Sequence, residues 1–252
     1  MTIAVMQPYL FPYLGYYQLA GAVDTFVFFD DVNFINKGWI NRNRILQQND
    51  AYKFTLPLSK ASQNRLINEI EISDYDKWRK DFLKLVEFNY KKAPCFSFFY
   101  EWLQKFLHGK DYRLISELAA DSVSHIATLL GLPTRFLLSG ELNYKSDQTP
   151  SGQEKILRIC EILEADRYIN PQNGVDIYEE DGFHDRKIIL KFLKMDDVVY
   201  NQFDKEKFIP ALSIIDVMMF NDLEQVKKLM TKYTLINKPE NNGITQDTER
   251  IL

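Results

Sequence analysis

Residues 1–44 read MTIAVMQPYLFPYLGYYQLAGAVDTFVFFDDVNFINKGWINRNR, and this stretch decides the fold. Apolar runs at residues 3–5 and 25–29 flank a loop with two prolines and a helix-like stretch at residues 16–22. Short apolar runs bounded by turn residues predict strands. A strand, a helix and a second strand in this order predict two parallel strands joined by a crossover helix.

Polar and aromatic side chains concentrate just after these two runs. In an open parallel sheet, ligands bind at the carboxyl ends of the strands, so side chains that follow the strands are candidates for a site. The candidates in this part of the chain are Gln7, Tyr9, Tyr16, Asp30, Asp31, Lys37, Trp39, Asn41, Arg42 and Arg44.

Each candidate group suits a particular chemistry. Asp30 or Asp31 can act as a base, hold a sugar hydroxyl, or bind Mg²⁺ together with phosphates; alternatively they terminate and cap the strand. The cations around Trp39 suit a diphosphate, because guanidinium groups bind phosphate in a bidentate manner. The alternative for this basic cluster is a solvated loop with exposed ion pairs. Gln7 either reads a base edge or an amide, or fixes its own loop.

The remainder of the chain alternates between strand and helix patterns. Strands are predicted at 53–58, 66–72, 134–138, 167–169 and 188–192, with a β-prone stretch at 198–200. Helices are predicted at 76–90, 95–108, 114–130, 153–163, 214–220 and 223–230, and residues 143–152 are predicted to form a loop.

This alternation predicts an α/β fold with a mainly parallel, Rossmann-like sheet and a helical insertion. We expect a single domain over residues 1–236, with a helical subdomain at about 75–131 and a poorly ordered polar tail at 237–252.

A second group of candidates lies late in the chain. Gln172 and Asp176 belong to an amide-rich loop after a predicted strand, where they can read sugar hydroxyls or simply form a turn. His184 lies between Asp181 and Asp185 and is the one histidine considered as a base. No two of the three histidines have metal-ligand spacing, so no metal site is predicted.

Composition limits the classes of function. The net charge of −4 does not favour non-specific nucleic-acid binding, and two cysteines are too few for a disulfide framework. No apolar stretch is long enough to span a membrane, and the start lacks the pattern of a signal peptide. We therefore expect a cytoplasmic protein.

Several pieces of this sequence, taken in order, resemble the WbqC-like protein family. They are residues 6–45 (MQPYLFPYLGYYQLAGAVDTFVFFDDVNFINKGWINRNRI), KFTLPL, INEIEI, LGLPT, LRICEILEADRYI and SIIDVMMF. The resemblance implies a role in gene clusters for O-antigen and other surface glycans, with transfer of an amino acid such as glycine onto a sugar. Gly152 and Asn170-Pro171 depart from the lysine and the Ser-Gly that are common in this family, which implies a variant substrate if that loop binds one.

The first 31 residues are also similar, more distantly, to nucleotidyltransferase domains. Those domains carry a His-x-Gly-His signature at the first helix, whereas this chain reads Tyr13-Leu14-Gly15-Tyr16. Tyrosine donates a hydrogen bond but carries no positive charge near neutral pH. We therefore expect nucleotide recognition to survive more readily than nucleotidyl transfer.

The resemblance to the WbqC-like family, together with these candidate residues, implies a transferase of surface polysaccharide biosynthesis. It would move an aminoacyl or acyl group from an activated donor, such as an adenylate or an aminoacyl-tRNA, to an amino group of a nucleotide-linked sugar. Two alternatives stay open: a nucleotidyltransferase or adenylate-forming enzyme that uses Mg²⁺, and a non-catalytic module that binds sugar nucleotides. The oligomeric state is not predicted.

Overall fold

The computed structural model describes residues 1–145, 152–203 and 207–238. The predicted polar tail, apart from Asn237 and Lys238, lies outside these residues, as does most of the predicted loop at 143–152.

The strands are β1 (Thr2–Met6), β2 (Thr25–Phe28), β3 (Arg42–Gln47), β4 (Asp50–Thr55), β5 (Leu58–Ser59), β6 (Glu71–Ile72), β7 (Arg135–Leu138), β8 (Arg167–Pro171), β9 (Ile189–Met195) and β10 (Tyr233–Ile236). The helices are α1 (Leu14–Gly21), α2 (Tyr75–Tyr90), α3 (Phe96–Gly109), α4 (Ile115–Leu130), α5 (Gly152–Ile162), α6 (Glu180–His184), α7 (Ile214–Phe220) and α8 (Leu223–Met230). Short 3₁₀ turns cover Ile67–Glu69, Ser139–Glu141 and Gln172–Ile177.

Within the described residues, the central sheet has the strand order β10-β9-β8-β1-β2-β7. All neighbours are parallel except β10, which pairs antiparallel with β9. From β1 the chain builds outward through β2 to β7, and then returns to add β8 and β9 on the other side of β1. The direction of building therefore reverses between β1 and β8, which is where ligands bind in open α/β sheets. The predicted α/β class with a mainly parallel sheet is confirmed.

Apolar side chains of the central strands point alternately to the two faces of the sheet, so both faces are apolar. In β1, Ala4 packs in the core that contains α1, α4, α7 and α8, whereas Ile3 and Val5 pack in the core that contains α5 and α6. Successive side chains of a strand point to opposite faces, and helices on both faces keep this sheet out of water.

The three helices α2, α3 and α4 lie in the chain between β2 and β7, which are neighbouring parallel strands of the central sheet. Asp74 begins α2 by accepting a hydrogen bond from the backbone N–H of Lys77 at 3.1 Å. The helices share a hydrophobic core with one face of the sheet, and the rings of Phe82 and Phe106 lie 6.0 and 5.8 Å from the ring of Phe11 in the first loop.

Some predicted strands were wrong. Residues 66–72 form a 3₁₀ turn and the two-residue strand β6, because Ile67 and Ile70, three residues apart, are both buried. The strand predicted at 53–58 begins earlier, at Asp50, and ends at Thr55. Residues 198–200 form no strand.

Other elements were not predicted. The basic loop after Asp31 runs into β3, which forms an antiparallel hairpin with β4. Helix α6 is short, and β10 is a half-exposed edge strand held by its pairing with β9, so neither has a strong local pattern.

Candidate binding site at the carboxyl edge of the sheet

A cavity of about 460 Å³, here called the main cavity, lies at the carboxyl ends of β1 and β8. It occupies the point where the building direction of the sheet reverses. Its lining residues are Val5, Met6, Gln7, Pro8, Tyr9, Tyr13, Tyr16, Phe29, Ile35, Gly38, Trp39, Ile40, Ile156, Asn170, Pro171, Asn173, Gly174, Ile177 and Tyr178.

The loop between β1 and α1 is held by contacts from three other segments. Phe11 is fully buried with a φ of +44°, a conformation that L-residues rarely adopt. Its N–H donates to the hydroxyl of Ser122 at 3.1 Å, and its carbonyl accepts from Asn43 at 2.5 Å and from Ser213 at 2.7 Å. The surrounding structure thus fixes an unfavourable backbone, and the cavity wall is largely preformed.

Aromatic rings form one wall of the main cavity. The ring of Tyr9 lies 6.2 Å from both Tyr16 and Trp39. The hydroxyl of Tyr16 donates to the carbonyl of Gln7 at 2.8 Å, whereas the hydroxyls of Tyr9 and Tyr13 have no protein hydrogen-bond partner within the described parts of the chain. Burial raises the pKa of Tyr9, Tyr13 and Tyr16, so all three act as hydrogen-bond donors and not as bases near neutral pH.

Two guanidinium groups lie against the exposed side of this wall. Arg42 and Arg44 are 5.8 and 5.6 Å from the centre of the Trp39 ring, within the range of cation–π attraction. Each also donates to a backbone carbonyl, Arg42 to Gly38 at 2.6 Å and Arg44 to Ala211 at 3.3 Å.

Neither arginine forms an ion pair with a carboxylate in the described ranges, and the same holds for Lys37. Lys37 lies in a turn that the N–H of Gly38 closes on the carbonyl of Ile35 at 3.1 Å. Within the described residues, Arg42 and Arg44 therefore lie against a ring that lines the cavity without a carboxylate partner of their own.

The other wall follows β8. The side-chain amide of Asn170 donates to the hydroxyl of Tyr168 at 2.9 Å, and the Tyr168 and Tyr178 hydroxyls are 3.2 Å apart. Gly174 allows this arrangement, because a Cβ on it would lie 2.1 Å from Oδ1 of Asn170. Asn170 thus presents an amide group whose orientation is fixed by buried tyrosines.

Asp30 and Asp31 lie at the same edge of the sheet but outside the lining of the main cavity. Asp30 accepts hydrogen bonds from the N–H of Gly140 at 2.8 Å and from the hydroxyl of Ser139 at 3.1 Å. Burial raises the pKa of Asp30, and these two bonds oppose the increase.

Asp31 accepts from the hydroxyl of Ser139 and, at 2.9 Å to both oxygens, from the hydroxyl of Tyr144. Lys145 places its ammonium group 2.8 Å from Oδ2 of Asp31. The neighbour of β2 away from β1 is β7, and the segment after β7 binds both carboxylates. Phe29, which directly follows β2, lines the main cavity.

The other sequence candidates are dispersed. Asn41 donates to the carbonyl of Leu56 at 2.7 Å, Gln172 lines a neighbouring cavity, and Asp176 is exposed on a 3₁₀ turn. His184 ends α6, just before the amino end of β9, so it lies at the opposite edge of the sheet from the main cavity.

Several lining residues were not chosen from the sequence. Tyr13 and Asn170 occur in motifs noted in the sequence but were left out of the predicted set. Asn173 and Tyr178, in the loop after β8, were left out as well, although the position of all four after β1 or β8 was a usable signal. Ile35, Ile156 and Ile177 had no sequence signal, because only folding brings these three apolar residues to one cavity.

A protein-family model described as the WbqC-like protein family matches residues 7–228, which include almost all of the cavity lining. The chain belongs to this family. It is also similar to the uncharacterized protein Rv1507c of Mycobacterium tuberculosis, with 27% identity over 222 residues that cover 87% of this chain and 93% of the relative. No solved structure matches the chain.

Asn170 and Pro171 of this WbqC-like protein both line the main cavity. In the described ranges, no group of three His, Cys, Asp or Glu side chains is placed to hold a metal ion. None of the helices described is long and apolar enough to cross a membrane.

Proposed function

We propose that this WbqC-like protein binds a nucleotide-linked amino sugar in the main cavity and transfers an aminoacyl or acyl group to its amine. The observation that carries the proposal is the pairing of an aromatic, amide-lined cavity at the reversal point of the sheet with two arginines free of carboxylate partners. The proposed place in surface-glycan (O-antigen) assembly, in the cytoplasm, rests on family membership and on the class of substrate.

The parts of such a ligand match the parts of the site. Arg42 and Arg44 offer the charge and the bidentate geometry that phosphate oxygens require. The hydroxyls of Tyr9 and Tyr13 supply further donors, and tyrosine and tryptophan rings give stacking area for a base or a sugar. Asn170 on the opposite wall can read a hydroxyl or an amide of the sugar.

The reaction is a nucleophilic acyl substitution. The neutral amine nitrogen of the sugar attacks the acyl carbon of an activated donor, a C–N bond forms, and the C–O bond to the leaving group breaks. With an acyl adenylate the leaving group is AMP, which departs with the electron pair; with an aminoacyl-tRNA it is the terminal hydroxyl of the tRNA. The amine loses its proton to water. Because no carboxylate of the described residues lines the main cavity, the protein contributes mainly by holding the two reactants in attacking geometry.

A second candidate is a non-catalytic module that presents a sugar nucleotide to other enzymes. The engagement of Asp30 and Asp31 with Ser139, Tyr144 and Lys145 favours it, because neither of these two carboxylates is left free to act as a base at the cavity.

Thermal unfolding against a panel of nucleotides and nucleotide-linked sugars tests the proposal. A ligand at about 100 times its Kd stabilises the folded state by roughly 2.7 kcal/mol, which is readily detected. We expect stabilisation by a dTDP-, UDP- or GDP-linked amino sugar, followed by formation of an N-acylated product, detected by mass spectrometry, when an acyl adenylate is added. Binding without product under complete donor conditions supports the module. Stabilisation only by ATP or CTP with Mg²⁺, accompanied by release of pyrophosphate, would replace the proposal with nucleotidyl transfer.

A further inference from the structure

A second cavity adjoins the main one along the carboxyl edge of the sheet. It has a volume of about 420 Å³ and lies over the ends of β8 and β9, beside the first turn of α1. Three residues, Tyr13, Pro171 and Asn173, line both cavities, which therefore adjoin at these residues. Two ligands bound in these cavities would meet at this boundary.

The chemistry of the second cavity differs from that of the main one. Leu193 and Met195 provide apolar surface, and Gln172 and Asn173 provide amides. No charged side chain of the described residues is part of its lining, whereas Arg42 and Arg44 lie beside the main cavity. We therefore expect phosphate to bind beside the main cavity, and a small, neutral or weakly polar group to bind in the second cavity.

The width of the second cavity depends on the absence of a side chain at Gly15. A Cβ at this position would lie 2.1 Å from Sδ of Met195 and 2.6 Å from a ring carbon of Tyr13. Both neighbours line the cavity, so they would have to move into it. Gly15 and Met195 together set the space available to a ligand.

We infer that the second cavity holds the acyl group of the donor substrate, with Gly15 and Met195 limiting its size. This inference rests on the proposed acyl transfer and names the site of its second substrate. An acyl group on Leu193 and Met195 would place its carbonyl carbon at the boundary beside Tyr13, where the two cavities adjoin. The amine of a sugar in the main cavity would approach that carbon at the same boundary, so adjacent binding sites would bring the reacting atoms together.

Substitutions at Met195 test the inference. Glycyl- and leucyl-sulfamoyl adenosine, which are non-reactive analogues of aminoacyl adenylates, are titrated calorimetrically into protein saturated with the nucleotide-linked amino sugar. Met195→Ala enlarges the cavity, and we expect it to shift the leucyl-to-glycyl affinity ratio at least about tenfold toward leucyl, since one or two methylenes in a pocket change selectivity by roughly 10–200-fold. Met195→Trp fills the cavity and should abolish binding of both analogues while the Kd for the sugar nucleotide changes less than about twofold.

The control is Ile177→Ala, because Ile177 lines the main cavity and not the second one. It should weaken binding of the sugar nucleotide without changing the leucyl-to-glycyl ratio. An unchanged ratio in Met195→Ala, equal loss of both ligand classes in Met195→Trp, or absence of analogue binding to the sugar-saturated wild type would each overturn the inference. Failure of the wild type to bind any sugar nucleotide is a separate result, and it would refute the proposed function itself.

Discussion

The side-chain amide of Asn43 donates a 2.5 Å hydrogen bond to the carbonyl oxygen of Phe11, and this contact joins the β3–β4 hairpin to the loop that walls the main cavity. Asn43 is buried, and its side-chain oxygen Oδ1 accepts a hydrogen bond from the backbone N–H of Arg44 at 2.8 Å. One side chain thus orients both the strained loop and the strand that carries Arg44.

Asn43→Ala should destabilise the protein and weaken ligand binding together. The carbonyl of Phe11 keeps the hydroxyl of Ser213 but loses its second buried donor, at a cost of about 1–3 kcal/mol in the free energy of unfolding. Urea unfolding and titration with the sugar nucleotide measure the two effects. Asn89→Ala is the matched control, because Asn89 also donates to a backbone carbonyl, that of Leu85 at 2.8 Å, but lies on α2. Equal effects of the two variants on binding would contradict the role given to Asn43.

Arg42→Gln and Arg44→Gln should each weaken binding of a diphosphate-containing ligand. Loss of a hydrogen bond to a charged group costs about 1.5–3 kcal/mol, or roughly 10–100-fold in Kd. The affinity of each variant should also depend less on salt than that of the wild type, since one charge contact is gone. Arg135→Gln serves as the control because Arg135 is exposed at the amino end of β7, at the opposite edge of the sheet. Wild-type affinity in both variants would show that the phosphates lie elsewhere.

Gly174→Ala should impair the site through Asn170. The new Cβ would lie 2.1 Å from Oδ1 of Asn170, so the Asn170 side chain must turn away from the hydroxyl of Tyr168. We expect a Tm several degrees lower and at least about tenfold weaker sugar-nucleotide binding, as lost buried hydrogen bonds cost about 1–3 kcal/mol. Gly109→Ala is the comparison: nothing lies within 4 Å of its added Cβ, and alanine should be neutral or slightly stabilising at that helical position. Unchanged binding in folded Gly174→Ala protein would remove Asn170 from the site.

Asp31→Asn separates a structural role from a catalytic one. The substitution removes the carboxylate charge that pairs with the ammonium group of Lys145. It also leaves the hydroxyl of Tyr144 one acceptor oxygen at this residue in place of two. We expect the free energy of unfolding to fall by about 1–3 kcal/mol. Because Asp31 does not line the main cavity, the Kd for the sugar nucleotide and the turnover of the folded fraction should stay close to wild type. A loss of turnover of about a hundredfold at unchanged Kd and unchanged folded fraction would instead establish the catalytic role suggested by the sequence.

Asp216 should make the stability depend on pH. It is fully buried on α7 and accepts hydrogen bonds from the hydroxyls of Tyr90 and Tyr200, at 2.7 and 2.6 Å, and from the amide of Gln202 at 2.8 Å. Burial raises its pKa above the ordinary value of 3.8, and the three hydrogen bonds only partly oppose this. The folded protein therefore binds this proton more tightly than the unfolded chain does.

The stabilisation from Asp216 should be complete below pH 3.8 and be lost as the pH rises through the folded-state pKa. Urea unfolding across a pH series, with Asp216→Asn as the reference, measures it. The stability of the wild type minus that of the variant should fall with rising pH and then become constant. If this difference in the free energy of unfolding instead grew with rising pH, the folded protein would stabilise the ionised form of Asp216, and the prediction would be wrong.

The amino-acid sequence by itself determined the class of fold and the region of the site. The apolar runs at β1, β2, β8 and β9 and the amphipathic pattern of α2 and α4 depend on local periodicity, which is why they could be predicted. The sequence also predicted a basic cluster at Arg42 and Arg44 close to a strand end, because the carboxyl ends of parallel strands share one edge, and both guanidinium groups lie against the cavity-lining ring of Trp39.

Only the tertiary structure decided which side chains reach the cavity. Asp30 and Asp31 follow a strand at the correct edge, yet Ser139, Tyr144 and Lys145, more than 100 positions later in the chain, bind them away from it. Ile177 and Tyr178 enter the site because β8 adds next to β1, a long-range pairing with no local signal. Local patterns are fixed by the geometry of one segment. The order of strands and the final partner of each carboxylate depend on contacts that form only when distant segments pack.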